Sequence, residues 1–393
     1  MHPDRRRCWL GFALASLALY LAVWLRPGLL VPWGVRLQLD RWFVDLTALL
    51  AASDAHALGQ HPPIWYSNWW FHLHDAGLDV ADTRWLGLGL VIVFLGTALL
   101  VLRPQSFPEG VYCWLALVSP PALLGANRAN VDLLIFAGLA LAGWLLASPR
   151  VALRPVAVAV IGFLAGLKFY PIVAAAALPF VRRRRREVGL LMAGMAVVAG
   201  LLAIFLFDDF RRAQGLVVTP VRLFSFGAAQ ICSGGATAVT LPAVLAGLAM
   251  MAWWWLRAPA LAVAPEERAV LWFVLGASTV AGCFFAGISY NYRLVLGLLM
   301  LPLLGELRRD GAAAPVRALA NAALAGLLVL LWLDGFVCLF VYLRIGNLPL
   351  ETIIGVRQVV YGLASWLWIA VVLGVGVMLA RPACRRLLGG VEK

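Results

Sequence analysis

The chain has 393 residues, of which 63% are hydrophobic and only 13% are charged. A soluble domain carries about 25% charged residues, and its surface could not accommodate this much apolar sequence. The composition therefore excludes a soluble enzyme, a disordered regulator and a coiled coil. The net charge of +13 is typical of a membrane protein with arginine-rich cytoplasmic loops, and no long basic segment outside the apolar runs is available to bind nucleic acid.

Apolar segments follow one another along the whole chain, separated by a long loop (26–84), a shorter loop (208–235) and brief turns. The sequence predicts an all-α, polytopic transmembrane helical bundle of about 10–12 membrane helices, forming one integral-membrane domain over residues 1–393. The first span lacks a small-residue cleavage site and is interpreted as a retained helix. The predicted spans lie at roughly 8–25, 85–102, 110–126, 131–148, 155–181, 188–207, 236–256, 269–288, 293–306, 316–343 and 358–380.

The long first loop is predicted to contain an amphipathic helix on the membrane surface. Asp45 lies on or beside this helix, whose apolar side chains recur at helical spacing: Trp42, Phe43, Leu46, Leu49 and Leu50. Two interpretations stay open, a solvated loop with a hydrophobic anchor or a catalytic carboxylate held at the lipid interface. The loop histidines, including His72 and His74, match no standard zinc motif, so we predict no metal site.

A short polar segment, Asn127–Asp132, precedes the fourth apolar span. Asn130 and Asp132 have the residue types that cap a helix N-terminus and occupy its first turn. The alternative is that Arg128 and Asn130 face a cavity and bind a hydroxyl or phosphate group.

Two further polar positions interrupt the later apolar sequence. Tyr290–Arg293 fills a short turn, where tyrosines typically anchor a chain at the membrane interface; Tyr292 and Arg293 would equally suit a phosphate-bearing lipid. Asp334 lies inside an apolar span and is expected to pair with a neighbouring helix.

The segment 155–181 decides the predicted topology. A single crossing leaves 12 basic residues inside and 19 outside, whereas a path that enters and returns at Lys168–Pro171 leaves 20 inside and 12 outside. The positive-inside rule favours the returning path, and Pro171 favours a break. We therefore expect both termini and Arg182–Arg186 inside, with Lys168 and the long loop on the outer side.

Lys168 is one of only two lysines among the 32 basic residues, and the other is the final residue. An ionisable side chain in an apolar run is by default a functional candidate, and a compact ammonium suits a phosphate group. The alternative is that Lys168 extends towards the lipid headgroups as a surface anchor.

Three motifs stand in the same order as in a known family: Asp45 followed by Gly59 and Pro62; Arg128-Ala129-Asn130; and Leu167–Pro171 followed by Arg182–Arg186. In order and spacing they resemble the GT-C fold glycosyltransferases that use polyprenol-phosphate sugars, in particular the bacterial α-mannosyltransferase-like group. The resemblance covers roughly residues 8–310 and leaves 311–393 as C-terminal transmembrane helices. Arg128 stands where relatives often carry Gln.

The resemblance implies an enzyme that moves mannose or another hexose from a polyprenyl-phosphate donor to a cell-envelope glycan or glycolipid acceptor, with inversion. It implies that Asp45 is the catalytic base and that substrates are bound by Lys168, Arg128, Asn130, Tyr292, Arg293 and Asp132. The sequence has no glycine-rich nucleotide loop, so we expect a lipid donor and no cofactor. The implied location is the inner (cytoplasmic) membrane, with the active site facing the periplasm.

Two other functions stay open at this point. A transporter or flippase of a lipid-linked saccharide needs the same phosphate-binding cations without a catalytic base, and a non-catalytic envelope-assembly protein needs neither. Internal repeats, which a transporter would predict, are not apparent. The environment of Asp45 discriminates, because a catalytic carboxylate should face Lys168 rather than bulk water.

Overall fold

A computed structural model describes residues 3–33, 42–62, 66–215, 224–231, 236–261, 264–286, 289–309, 312–343 and 349–388. The chain is almost entirely helical in these ranges, and its one pair of described strands is short and antiparallel: β1 (Ser225–Phe226) and β2 (Ser289–Tyr290). The predicted all-α class is confirmed.

The α-helices are α1 Pro3–Leu25, α2 Val44–Ala57, α3 Thr83–Val101, α4 Phe107–Leu117, α5 Pro120–Arg128, α6 Asp132–Ala147, α7 Leu153–Lys168, α8 Arg185–Phe205, α9 Phe207–Gly215, α10 Ala236–Arg257, α11 Glu267–Phe285, α12 Leu301–Arg308, α13 Ala314–Tyr342 and α14 Leu350–Leu388. Short 3₁₀ helices join them at Pro27–Trp33, Asn68–Leu73, Val80–Asp82, Tyr170–Phe180, Ala228–Ile231 and Asn291–Met300.

Six helices in the described ranges are long and apolar enough to cross a membrane, so this is a multi-pass membrane protein. A seventh crossing is obtained if α5 and α6, which bend by 108° at their junction, count as one span. This number is smaller than the 10–12 full spans expected from the sequence. The difference arises because several predicted spans are broken: Ser119 and Pro120 separate α4 from α5, and Phe169 separates α7 from Tyr170–Phe180.

The break after Lys168 reverses the direction of the chain. On the far side of the 3₁₀ helix, the guanidinium of Arg183 donates to the carbonyl oxygens of Ala147 and Ser148, both at 3.4 Å. These carbonyls lie just before α7 begins, and Arg154 at the start of α7 pairs with Glu187 in α8. The predicted path that enters and returns is therefore confirmed, and it defines two ends of the bundle, the Lys168 end and the Arg183 end.

The first and last helices of the described chain, α1 and α14, have their outer ends at the Arg183 end. Near the C-terminus, Arg386 donates to the carbonyl oxygens of Pro179 (3.0 Å) and Val181 (2.9 Å), next to Arg183. Near the N-terminus, the indole of Trp9 donates to a carbonyl at the C-terminal end of α3. This end of α3 leads into α4, whose first turn is ion-paired with Arg309 just after α12. Glu306 of α12 accepts from the backbone N–H of Glu266, and the next residue, Glu267, pairs with Arg183.

We expect the Arg183 end to face the cytoplasm, because it carries the arginine cluster that follows the returning arm. In a cysteine-free background, a single cysteine at Arg184 should resist a membrane-impermeant maleimide added outside intact cells, whereas one at Gln60 should react. Both positions are exposed, so reactivity reports sidedness. Labelling of position 184 from outside, with position 60 protected, would invert the assignment.

The helix predicted around Asp45 is present as α2, but protein rather than lipid covers its apolar residues. Phe43, Leu46, Leu49 and Leu50 are all buried, and Phe43 and Leu50 pack with Leu86 and Leu90 of α3. The expectation that this face anchors α2 in the headgroup layer is wrong for these side chains. The buried positions of α2, including Leu46, Leu49 and Leu50, recur at helical spacing, so one side of the helix is covered by protein.

Gly87 makes the contact between α2 and α3 possible. A Cβ at position 87 would lie 2.3 Å from the ring of Phe43, whereas a Cβ at Gly89, on the same helix, would meet nothing within 4 Å. We expect Gly87→Ala to destabilise the detergent-solubilised protein by about 1–3 kcal/mol through overpacking, and Gly89→Ala to leave stability unchanged or slightly higher. Thermal unfolding of both variants checks this, and equal midpoints would contradict it.

Candidate functional site

Four separated segments meet at the Lys168 end of the bundle: the start of α2, the α5–α6 junction, the end of α7 and the chain after β2. Each carries residues that the sequence singled out, and a continuous series of polar contacts joins Asp45, Arg128, Asn130, Asp132, Lys168 and Arg293. Residues up to 248 positions apart in the sequence thus form one site.

Asp45 is held by two partners from the α5–α6 junction. Its Oδ1 accepts from Nε (2.9 Å) and Nη2 (2.5 Å) of Arg128, and its Oδ2 accepts from Nδ2 of Asn130 (2.5 Å). The Asp45 side chain is 13% exposed, and Arg128 is 26% exposed. A carboxylate offers about four lone-pair positions, so these three hydrogen bonds leave one position of Asp45 without a partner among the described residues.

Asn130 connects the two halves of the site. Its Oδ1 accepts from the backbone N–H of Asp132 (2.9 Å) and from Nζ of Lys168 (3.3 Å), while its Nδ2 donates to Asp45. The capping interpretation is supported, because Asn130 accepts from the first backbone N–H of α6, while binding of a hydroxyl or phosphate by Arg128 and Asn130 stays a prediction. One fully buried amide satisfies the start of α6 and bridges the carboxylate to the ammonium.

Lys168 and Asp132 form a buried ion pair. Nζ of Lys168 lies 2.5 Å from Oδ1 of Asp132, and the two side chains are 5% and 1% exposed. The hydroxyl of Tyr170 donates to the same oxygen at 2.6 Å, and Nε of Arg293 lies 3.8 Å from Oδ2. The alternative in which Lys168 extends to the lipid headgroups is wrong, because its ammonium points into the protein.

Aromatic rings surround the Lys168 ammonium. Nζ lies 5.1 Å from the ring centroid of Tyr66, 5.8 Å from that of Tyr170 and 5.9 Å from that of Tyr292. These distances fall within the range of cation–π attraction. The guanidinium of Arg293 lies 4.9 Å from the Tyr170 ring. Two cations therefore lie close together at the Lys168 end, with one buried carboxylate, Asp132, between them.

Tyr66 is the contributor that sequence reasoning missed. It lies in the long first loop among several other aromatic residues, and no spacing distinguishes it from them. Burial, together with the nearby charges of Asp45 and Asp132, raises the pKa of the Tyr66 phenol well above its ordinary value. The phenol ring lies beside the Lys168 ammonium, so Tyr66 belongs to the cluster.

Backbone strain concentrates next to the functional side chains. Among the described residues, the non-glycine positions with positive φ are Phe43 (64°), Ala129 (45°) and Phe169 (37°). Each lies one or two positions from a polar residue of the site, namely Asp45, Asn130 and Lys168. Such conformations cost about 1–3 kcal/mol each and persist where the surrounding structure fixes them, commonly at active sites.

Two tryptophans of the first loop fix the end of α7. The indole of Trp70 donates to the carbonyl oxygen of Leu167 at 3.0 Å. The ring of Trp69 lies directly against Gly166, where a Cβ would come within 2.1 Å of the ring. The residues that precede Lys168 are therefore held by the first loop, which orients the ammonium towards Asn130 and Asp132.

Other candidates from the sequence lie outside this cluster. Asp54 pairs with Nδ1 of His74 (2.8 Å), and Asp75 pairs with Nδ1 of His72 (2.9 Å). Within the described ranges, no group of three or more His, Cys, Asp or Glu side chains is arranged to hold a metal ion. Asp40, a further acidic residue of the loop, falls outside the described residues.

Comparisons with protein-family models, with curated proteins and with solved structures find no match for this chain. A partly accessible carboxylate stands on one side of Asn130, and two cations, Lys168 and Arg293, stand on the other. This arrangement suits a reaction in which a hydroxyl is deprotonated while a negatively charged group departs.

Proposed function

We propose that this chain is a membrane glycosyltransferase that moves a sugar, mannose or another hexose, from a polyprenyl-phosphate donor to a cell-envelope glycan or glycolipid acceptor. The observation that carries the proposal is the bridge through Asn130, with Asp45 on one side and Lys168 on the other. The motif resemblance to polyprenol-phosphate-dependent GT-C enzymes supports the same reaction.

In this proposal Asp45 is the general base. Its open lone pair takes the proton from the acceptor hydroxyl as that oxygen attacks the anomeric carbon of the donor sugar. Asp132 is less suited to this task, because it is 1% exposed and less accessible to an acceptor hydroxyl than Asp45, which is 13% exposed. Arg128 and Asn130 hold the Asp45 carboxylate in position rather than reacting themselves.

The leaving group is the polyprenyl phosphate, which departs from the face opposite to the attacking oxygen and so inverts the anomeric configuration. Cations that stabilise this developing charge lower the barrier. Arg293 is 22% exposed, more than Lys168, and is suited to contact the phosphate directly. Lys168 adds a second positive charge, and the phenols of Tyr66 and Tyr292, whose rings lie beside Lys168, can supply hydrogen-bond donors.

We propose that the site faces the periplasm from the inner membrane. The basis is the separation of the two ends of the bundle, with the arginine cluster at one end and the site at the other. A lipid-linked donor would enter from the bilayer and a polar acceptor from the aqueous phase.

The test is transfer by the purified chain in lipid vesicles, supplied with a panel of radiolabelled polyprenyl-phosphate hexoses and an envelope glycolipid extract. The expected result is label in the acceptor fraction from one donor, with release of polyprenyl phosphate. Movement of the intact donor between leaflets without transfer would support the flippase alternative. If no donor in the panel is transferred or moved between leaflets, both functions are overturned.

A further inference from the structure

A second buried polar cluster lies among the C-terminal helices, outside the region that carries the motifs. Asp334 in α13 and Arg357 in α14 form a bidentate pair, with Nε to Oδ1 at 2.6 Å and Nη2 to Oδ2 at 2.7 Å. Both side chains are 0% exposed. The expectation that Asp334 pairs with a neighbouring helix is confirmed, and the partner is Arg357.

This ion pair is linked to the proposed active site through Asn291. Nδ2 of Asn291 donates to Oδ2 of Asp334 at 2.5 Å. Asn291 immediately precedes Tyr292, whose ring lies near the Lys168 ammonium, and Arg293, which lies near Asp132. A single side chain therefore joins the ion pair to the segment that carries two residues of the site.

The same segment is held from its other side by β1. Ser225 in β1 pairs with Tyr290 in β2, and Arg357 donates from Nη2 to the Ser225 carbonyl oxygen at 3.1 Å. Nε2 of Gln230 donates to that carbonyl and to the Ser225 hydroxyl, both at 2.9 Å. Arg357 thus fixes the short sheet and Asp334 together, and Tyr290 and Asn291 are tied to both.

Buried ion pairs contribute little to stability compared with apolar side chains of the same volume, so stability alone is a weak explanation for this one. The pair does fix the positions of the groups that it contacts, Asn291 and the short sheet. We infer that the Asp334–Arg357 pair has a positioning role, and this inference rests on the glycosyltransferase function proposed above. Through Asn291 the pair holds Tyr292 and Arg293 near Lys168, where the donor phosphate binds. The C-terminal helices α13 and α14 lie beyond the residues that carry the motifs. In this inference they help to form the proposed active site.

The first test removes the link and leaves the ion pair intact. Asn291→Ala should weaken binding of decaprenyl phosphate, measured by intrinsic tryptophan fluorescence in lipid nanodiscs, by about tenfold, the loss expected when one charge-assisted contact is misplaced. The matched control is Asn321→Ala, which removes a hydrogen bond between Arg308 and α13 at the opposite end of the bundle. The control should bind as tightly as the wild type.

A second measurement reads the position of Arg293 without any lipid. Phenylglyoxal modification followed by mass spectrometry should show a several-fold change in the reaction rate of Arg293 in Asn291→Ala, with the rate of Arg128 unchanged. Unchanged reactivity of Arg293 overturns the inference whatever the lipid result. If the wild type fails to bind decaprenyl phosphate while the reactivity of Arg293 still shifts, the positioning role stands and the proposed function fails.

A double-mutant cycle separates positioning from general stability. In an Arg293→Gln background, Asn291→Ala should weaken decaprenyl phosphate binding little further, because its effect acts through Arg293. Full additivity of the two losses would contradict the inference. The paired variant Asp334→Asn with Arg357→Gln leaves no unpaired buried charge, and it should reproduce the shift in Arg293 reactivity.

Discussion

Asp45→Asn is expected to lower the rate of sugar transfer by about 10²–10⁴-fold, the usual loss when a general base is removed. Asparagine nearly preserves the shape of the side chain, and its carbonyl oxygen can still accept from Arg128, but it cannot take a proton from the acceptor hydroxyl. Donor-lipid binding should survive, because the cations Lys168 and Arg293 are untouched. Initial rates of transfer and donor binding, measured on the same preparation, check both parts.

The fold should tolerate this change at a modest cost. Arg128 loses a charged partner, but it is 26% exposed and can be hydrated. The buried Nδ2 of Asn130 loses its acceptor, which costs about 1–3 kcal/mol. The matched control is Asp54→Asn, since Asp54 is also an acidic residue of α2 and has its own partner, His74. It should retain nearly full activity, and Asp40→Asn is expected to be similarly mild. Retention of more than about a tenth of the wild-type rate by Asp45→Asn would exclude Asp45 as the base, and Asp132 would be tested next.

Most residues of the candidate site could be singled out from the sequence because polar residues in an apolar chain are conspicuous. Lys168, Asn130 and Asp132 interrupt runs that otherwise suit a membrane, and a buried polar group needs a partner there. The returning path through Lys168 followed from counting arginines on each side, and the contacts between Arg183 and the start of α7 bear it out. These inferences needed only local pattern and charge.

The parts that could not be predicted depend on long-range packing. Tyr66 approaches Lys168 only because the first loop folds over the end of α7, and nothing in its neighbourhood marks it. The sequence does not reveal that Arg357 is the ion-pair partner of Asp334, because the pairing depends on how α13 and α14 pack together. The apolar face of α2 was assigned to lipid, although it packs on α3, because an amphipathic pattern does not reveal which apolar surface covers it.

The number of membrane spans could not be predicted from the sequence either. Hydropathy marks apolar segments but not where the backbone breaks, so α4 with α5, and α7 with Tyr170–Phe180, were each predicted from apolar length alone. Two interruptions lie where the candidate site is built: α7 ends at Lys168, and α5 ends at Arg128, where the chain bends into α6. Irregular backbone at membrane depth is tolerated where protein shelters it, and in this bundle it brings polar groups together.

Lys168→Ala is the other change with a large expected effect, a loss of about 10²–10³-fold in turnover if the ammonium stabilises the departing phosphate. Lys168→Arg should restore transfer only in part, because the planar guanidinium keeps the charge but differs in shape and reach. Steady-state turnover of the folded fraction, isolated by size-exclusion chromatography, checks both variants. Near wild-type turnover in Lys168→Ala would remove Lys168 from the mechanism.

The alanine variant also leaves Asp132 buried without its closest cation, and breaking a buried pair typically costs about 3–5 kcal/mol. A loss of activity by itself would therefore not separate a structural role of Lys168 from a chemical one. The double variant Lys168→Met with Asp132→Asn separates them, since it removes both charges and keeps similar volumes. If Lys168 serves only to neutralise Asp132, the double variant should regain stability and transfer together. We expect it to regain thermal stability while turnover stays low, because the phosphate would still lack the positive charge of Lys168.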